Sequence, residues 1–395
     1  MDRIVYKSST GDIRESHYSD NIEIPNRKVV SFFNMSKDKL YLSLHKAFSS
    51  GVIPILYDKN IESIKPRVDS LNFDTLPKDT AIIFFTSGTT GEPTGALKSR
   101  DNIIGELRVL KELFEPFGFE RVIVTVPLIH IYGFLAGVML PRELNADVIL
   151  KEEFLPHELI ELAEDKKTLC VTNPVFLKVL NRLKIDKKYP NITFLSSTGK
   201  LDSSIAGELN SKIGVTIYQL FGSTETGGIA YKRDSDELWR PLQDVNIAKK
   251  ENNLMIKSPF VSEYIIEDRL KKIKYPFITT DIIEIIDNKF RLIGRESEII
   301  KISGKRISIL EIESLLEESK IIDEVLVKLA YSINSHKDEQ LNIEIVSFAK
   351  LIDLKKEVKR ILQQNYKKIN IKSNIKVVNN IAKNHIGKKI RKLKN

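Results

Sequence analysis

The sequence predicts an α/β protein, with a large N-terminal domain of layered sheets and helices joined by a short hinge to a small α+β C-terminal domain. Three observations carry this. Short apolar runs alternate with segments of helical spacing from residue 81 to residue 218, two apolar runs then flank a turn after Asp281, and a second, shorter set of elements begins past Gly294. A chain of 395 residues also exceeds what one hydrophobic core usually organises.

The first element is the apolar run 81–85, which reads as a strand and empties into Thr86-Ser87-Gly88-Thr89-Thr90-Gly91-Glu92-Pro93-Thr94-Gly95. Behind it, Ile103, Ile104, Leu107, Leu110, Leu113 and Phe114 recur at helical spacing after the candidate caps Ser99 and Asp101. The runs 122–126, 148–150, 169–171, 192–195 and 215–218 alternate with helical segments, the pattern of a largely parallel sheet. Runs 282–286 and 290–293 flank Asp287-Asn288-Lys289, a hairpin turn. The domain boundary falls in Gly294-Arg295-Glu296-Ser297, dividing 1–296 from 297–395. The small domain reads as strand 299–302, helix 309–318, strands 325–329 and 343–348, and helix 354–364.

Composition narrows the function classes. Hydrophobic residues make up 42% of the chain, enough for packed cores. The one cysteine, Cys170, sits in the apolar run Leu169-Cys170-Val171, which excludes an internal disulfide framework and reads as a buried, inert thiol in a reducing cytoplasm. Residues 1–12 lack the apolar core of a signal peptide, and no apolar run is long enough to span a bilayer. A cytoplasmic protein without stable membrane insertion is expected. The net charge of +9 is concentrated after Leu351, in Lys355-Lys356, Lys367-Lys368 and Lys388-Lys389-Ile390-Arg391-Lys392. Attraction of anionic small molecules and a solvated lysine-rich face both account for it. With Tyr366 the sole aromatic residue after Leu351, the stretch lacks the stacking platform of a nucleic-acid binder, and no nucleic-acid partner is expected.

The glycine-rich segment has the chemistry of an anion cradle. Gly88, Gly91 and Gly95 allow close backbone approach, while Thr86, Ser87, Thr89 and Thr90 add hydroxyls around successive N–H groups. A nucleoside triphosphate is the natural guest. The usual triphosphate loop is absent, because Gly199-Lys200, Gly304-Lys305 and Gly387-Lys388 are followed by Leu, Arg and Lys instead of Ser or Thr. An ordinary strand-to-helix connection competes with this reading at this point.

Further motifs follow in order: Pro127-Leu128-Ile129-His130-Ile131-Tyr132-Gly133, then Phe221-Gly222-Ser223-Thr224-Glu225, Thr280-Asp281 with Gly294-Arg295, and Gly387-Lys388. Together with the loop at 86–95 they make the chain resemble the adenylate-forming superfamily of acyl-CoA synthetases, peptide-synthetase adenylation domains and firefly luciferase. The resemblance covers roughly residues 80 to 395 and lies closest to the acyl- and aryl-CoA ligase branch, with a shortened N-terminal part.

The resemblance implies activation of a fatty or aryl acid by ATP to an acyl-adenylate, then transfer to the thiol of coenzyme A or of a carrier-protein phosphopantetheine. It implies that Lys388 supplies charge where the carboxylate meets the α-phosphate, a role with a physical need behind it, since two anions must be brought together. Glu225 would be the Mg2+ ligand, and Thr224 would meet the α-phosphate. Phe221, where relatives carry tyrosine, would stack on adenine beside Gly222. Gly199 would line the adenine edge, and Asp281 with Arg295 would hold the ribose hydroxyls. His130 would border the acyl pocket, with Gly137, Val138 and Met139 as a candidate wall. No aspartate lies between Pro127 and Pro141 to hold an amino-acid ammonium, which favours a plain carboxylic acid. Rotation of the small domain would exchange Lys388 for the 301–307 segment, where Gly304 permits close approach of the thiol.

The sequence departs from the resembled pattern at Thr94, where a loop lysine is usual, at Thr280, where glycine is usual, and at Ser297, where a charged hinge residue is usual. Lys98 or Arg100 would have to supply the charge missing at Thr94. Thr94, Ser297 and the short N-terminal part keep open a degenerate nucleotide-binding protein without turnover.

Overall fold

The computed structural model describes residues 3–8, 12–20, 22–23, 29–32, 35–86, 93–302, 305–330, 340–366, 371–382 and 389. Two compact units divide the chain. The first comprises Met1–Ala248, Met255–Ile278 and Asp287–Lys289, and the second Lys249–Leu254, Thr279–Ile286 and Phe290–Asn395.

The first unit is built on a nine-stranded sheet. Strands Arg121–Val124, Asp147–Lys151, Thr168–Thr172, Ile192–Ser196 and Thr216–Ser223 form its parallel centre, extended in parallel by Arg3–Lys7. Antiparallel strands Ile13–His17 and Gly227–Arg233 flank this block. The largely parallel sheet expected from the alternating runs is therefore present. Its strands read as unbroken apolar runs because both faces are covered. Val122, Val124, Val148, Leu150, Leu169 and Val171 enter one core, whereas Ile123, Ile149, Cys170 and Phe194 enter the other. Helices Pro156–Ala163, Pro174–Arg182 and Ser203–Ile213 fill the second core through Leu159, Leu177, Leu180, Ala206 and Leu209.

The first core reaches a six-stranded sheet through Leu56, Ile82 and Phe84, with helices Lys37–Ser50 and Arg100–Phe114 contributing Tyr41, Leu44, Phe48, Ile103, Leu107 and Leu110. Ser99 caps the second of these helices, its side chain accepting from the Asn102 amide while Asn102 accepts from the Ser99 amide. The expected apolar stripe holds at Ile103, Leu107, Leu110 and Phe114, but Ile104 is exposed and Glu106 lies on the buried face. Cys170 is buried as expected, and burial pushes its thiol pKa up.

A helical segment follows His130. From Gly133 to Met139 it is a π-helix, in which the Leu140 amide donates to Leu135 five residues back. The Val138 carbonyl receives His45 Nε2 at 2.7 Å and the Tyr41 hydroxyl at 3.1 Å.

Strands Phe277–Ile286 and Lys289–Arg295 are neighbours across a turn at Asp287 and Asn288, as the hairpin pattern predicts. Helices Ile309–Glu317 and Leu351–Asn365 pack with strands Glu324–Ala330 and Gln340–Val346 in one core. Strands Lys305–Ser308 and Ser373–Val377 were not expected from the sequence pattern. Among the described residues no helix is long and apolar enough to cross a membrane.

Candidate active site

The glycine-rich segment does not open a helix. Strand Thr80–Thr86 pairs antiparallel with strand Thr94–Ser99, with Thr86 opposite Thr94 and Phe85 opposite Gly95, so residues 87–92 join the two arms of a hairpin. Thr86 and Thr94 are half-buried at the hairpin's end, while Ser87, Gly88, Thr89, Thr90 and Gly91 lie outside the described residues. Gly95 is sterically required, because a Cβ there would stand 2.7 Å from the Phe85 ring.

Neither cation expected to replace a lysine at Thr94 is turned toward the loop. Lys98 is fully buried and donates to the carbonyls of Glu225 at 3.0 Å and Phe260 at 2.7 Å. Arg100 donates twice to the Phe48 carbonyl at 3.1 Å and covers the Phe48 ring. Lys98 is satisfied by backbone oxygen in the interior, whereas Arg100 stays exposed and lies against the Phe48 carbonyl and ring.

The second turn joins strands Thr216–Ser223 and Gly227–Arg233. The Ser223 amide donates to Thr226 Oγ1 at 3.0 Å and the Thr226 amide to Ser223 Oγ at 3.2 Å, a closed turn with Thr224 and Glu225 at its tip. Both tip residues are half-buried. The strands close on each other tightly, since a Cβ on Gly222 would lie 2.3 Å from the Gly227 carbonyl oxygen. Phe221 is half-buried beside Trp239, with ring centroids 5.3 Å apart.

This turn is held from beneath by two charges. Besides Lys98 on the Glu225 carbonyl, which also accepts from the Ser262 amide at 2.8 Å, Glu106 Oε1 accepts from the Gly228 amide at 2.7 Å. Burial pushes Lys98 below and Glu106 above their ordinary values, and their mutual attraction opposes both shifts. The sequence reading missed Glu106. Its signal was a carboxylate on the same helical face as Ile103, Leu107 and Leu110.

The remaining expected residues of the first unit follow the carboxyl ends of parallel strands, the edge where open α/β sheets bind ligands. His130 comes six residues after Arg121–Val124, is half-buried, and gives its carbonyl to the Phe134 amide at the start of the helical segment. Gly199 follows Ile192–Ser196, and the preceding Thr198 adopts φ 75°, a strained conformation for a β-branched residue. Ser197 Oγ donates to the Leu220 carbonyl at 2.8 Å, tying this segment to the strand that carries Phe221. Gly199 itself has space for a Cβ. Val138 is fully buried and Gly137 abuts Val124, so these residues pack in the core, the alternative to a pocket wall. A cavity of about 270 Å³ lined by Asp79, Thr80, Ser99, Glu263, Tyr264 and Tyr275 lies at the opposite end of the hairpin and contains none of the expected site residues.

Within the second unit, Arg295 Nε donates to Asp281 Oδ1 at 3.1 Å, and the Asp281 amide donates to Thr279 Oγ1 at 3.0 Å. Gly304 and Lys388 lie outside the described residues. The neighbouring Lys389 is described, and its Nζ reaches Glu317 at 2.5 Å and the Val325 carbonyl at 2.6 Å.

Among the described residues no group of three His, Cys, Asp or Glu could cage a metal ion. The single carboxylate of Glu225, half-buried at the turn tip, fits Mg2+, which takes one or two carboxylates together with substrate phosphates rather than a full protein cage.

The chain is 26% identical over 270 residues to 4-coumarate–CoA ligase-like 8 of Arabidopsis thaliana, 60% of this chain and 48% of that one. It is 30% identical over 175 residues to the 4-coumarate–CoA ligase of Halorhodospira halophila, 44% of this chain and 41% of that one. The matched stretches thus span less than half of either relative. The fold is that of ATP-bound MatB from Rhodopseudomonas palustris, with TM-score 0.73 at 17% identity over 98% of this chain and 94% of that one. O-succinylbenzoate coenzyme A synthetase (MenE) from Bacillus subtilis in complex with AMP gives TM-score 0.75 at 17% identity, over 92% and 86%. The family model for AMP-binding enzymes matches residues 33–259, more than half of the sequence and both hairpin turns, and the chain belongs to that family.

Proposed function

We propose that this protein is an acid–thiol ligase that activates a fatty or aryl carboxylic acid with ATP and passes the acyl group to coenzyme A. In the first half-reaction a carboxylate oxygen attacks the α-phosphorus and the bond to pyrophosphate breaks. In the second, the thiol sulfur attacks the acyl carbon, loses its proton, and AMP departs. The observation that carries the proposal is the common carboxyl edge: His130, Thr198-Gly199 and the Thr224-Glu225 tip each follow a strand of one parallel block, the last just beyond Phe221 near that strand's end. MenE has also been solved with ATP and a magnesium ion, which supports a nucleotide and Mg2+ as ligands.

In this reading Phe221 offers a ring face to adenine, Thr224 a hydroxyl to the α-phosphate, and Asp281 with Arg295 an acceptor and donors to the ribose. His130 borders the acid, and Thr86 to Gly91 surround the outer phosphates. Mg2+ held by Glu225 and the phosphates would offset phosphate charge. The segment from 297 onward forms the small domain that brings Lys388 to the carboxylate and α-phosphate and Gly304 to the thiol. A carrier-protein phosphopantetheine is the alternative acceptor.

A second reading, nucleotide binding without turnover, is favoured by one observation. Thr94 lacks a charge, and both Lys98 and Arg100 are committed elsewhere. Acid-dependent pyrophosphate release across a panel of fatty and aryl acids separates the two, and failure with every acid favours the second. Lys388→Ala is expected to lower adenylation by about 100- to 1,000-fold, the scale of removing one preorganised electrostatic group. Thioester formation from supplied acyl-adenylate should fall much less, and equal loss in both steps would remove Lys388 from its role.

A further inference from the structure

We infer that Lys98 and Glu106 are positioning residues that clamp the tip and the return end of the Glu225 turn and thereby set the direction of its carboxylate. The inference rests on the metal-binding role proposed for Glu225.

Each half of the clamp comes from a different element. Lys98, on strand Thr94–Ser99, takes the carbonyl of Glu225 at the tip and joins it to the Phe260 carbonyl. Glu106, on helix Arg100–Phe114, takes the Gly228 amide where the return strand begins. Segment 259–262 is held in turn by Asn102, whose Nδ2 donates to the Pro259 carbonyl at 2.6 Å and the Val261 carbonyl at 3.3 Å. The fit is close. Gly227 has φ +68°, and a Cβ there would stand 2.3 Å from Glu106 Oε2, so the carboxylate occupies the space a side chain would fill.

The chemistry argues for aim rather than stability. Two opposite charges buried together fold no better, as a rule, than an apolar pair of similar volume. What an apolar pair cannot supply is a directed, charge-assisted donor to one carbonyl and an acceptor for one amide. Those two bonds fall on the turn that presents Thr224 and Glu225.

The test compares the wild-type chain with Lys98→Met/Glu106→Leu, which removes both charges at once and so avoids stranding one of them. Amide hydrogen exchange over residues 222–229 should accelerate roughly tenfold or more, while exchange in the strands at 121–124 and 168–172 stays at wild-type rates. In acid-dependent ATP–pyrophosphate exchange below the melting temperature, the half-saturating Mg2+ concentration should rise by about 10- to 100-fold, the usual effect of losing a partner that orients a metal ligand. The KM for the acid should stay near wild type. Glu106→Gln keeps an acceptor for the Gly228 amide and should recover part of the wild-type Mg2+ response relative to Glu106→Leu. A double variant that melts lower yet keeps wild-type exchange at 222–229 and wild-type Mg2+ dependence would overturn the inference. Wild-type protein inert with every acid would count against the proposed activity, and the hydrogen-exchange result would then decide the clamp by itself.

Discussion

Lys98 and Lys37 are both buried lysines that donate to two backbone carbonyls, yet they hold different things. Lys37 opens the helix Lys37–Ser50, and its Nζ reaches the carbonyls of Val124 at 2.8 Å and Lys151 at 3.0 Å, the ends of two adjacent parallel strands. Its nearby acid, Glu152, is exposed and instead accepts from the Lys37 amide and the Tyr6 hydroxyl, each at 3.1 Å. Lys98 faces an acid that is only 3% exposed, and it holds a turn instead of a strand end. Burial lowers the Lys37 pKa to about 8, so the interior penalises the charge there as well. A lysine satisfied by regular strand ends serves the sheet, whereas one paired with a buried acid under a turn serves what the turn displays.

The largest expected effect breaks one half of this contrast. Lys98→Met alone strands the Glu106 carboxylate and should destabilise the fold by about 3–5 kcal/mol, whereas the double apolar variant should recover most of that loss. Chemical denaturation of both variants checks this, and equal losses would show that the two charges are not coupled. A smaller loss, up to about 3 kcal/mol, is expected at a third buried base on the Lys37 helix. Burial lowers the His45 pKa from 6.5 to about 4. The fold therefore favours the neutral ring, and this stabilisation is complete above pH 6.5 and is lost as pH falls through about 4. Melting temperatures between pH 7 and pH 4 should show that fall in the wild type and a flatter profile in His45→Gln.

Lys37→Met should cost about 1–3 kcal/mol through two carbonyls left unpaired. Its acid-dependent pyrophosphate exchange below the melting temperature should match the wild type. A raised Mg2+ requirement in Lys37→Met would erase the distinction between the two lysines. The smallest effect concerns the loop end of the strand that carries Lys98. Thr94→Lys should tighten ATP binding by roughly 3- to 10-fold, the worth of one partly exposed charge-assisted contact. Calorimetric titration measures it, and an unchanged affinity would mean that the outer phosphates are already balanced.

The strands were legible in the sequence because parallel strands buried on both faces carry unbroken apolar runs. The short strand Lys305–Ser308 was not, since its side of the pairing starts with Lys305 and Arg306 and offers no such run. The motif order identified the Phe221 to Glu225 turn and the Asp281–Arg295 pair. The support beneath the turn stayed hidden because it depends on partners more than a hundred residues away: Lys98 on Glu225 and Glu106 on Gly228. In a linear reading each is one charged residue among many. Only the helical period around Glu106, which sets a carboxylate among Ile103, Leu107 and Leu110, marked a polar group facing inward. Lys98 carried a fainter sign of the same kind, following Ala96 and Leu97 without a break.

The π-helix between Gly133 and Met139 makes chain length itself a variable at this point. Its wider coil accommodates one residue more than ordinary i to i−4 bonding uses. Shortening the segment by one residue would tighten the coil and shift the Val138 carbonyl, the acceptor that His45 and Tyr41 share. An insertion or deletion here would therefore be read out some ninety residues upstream, at a histidine and a tyrosine together.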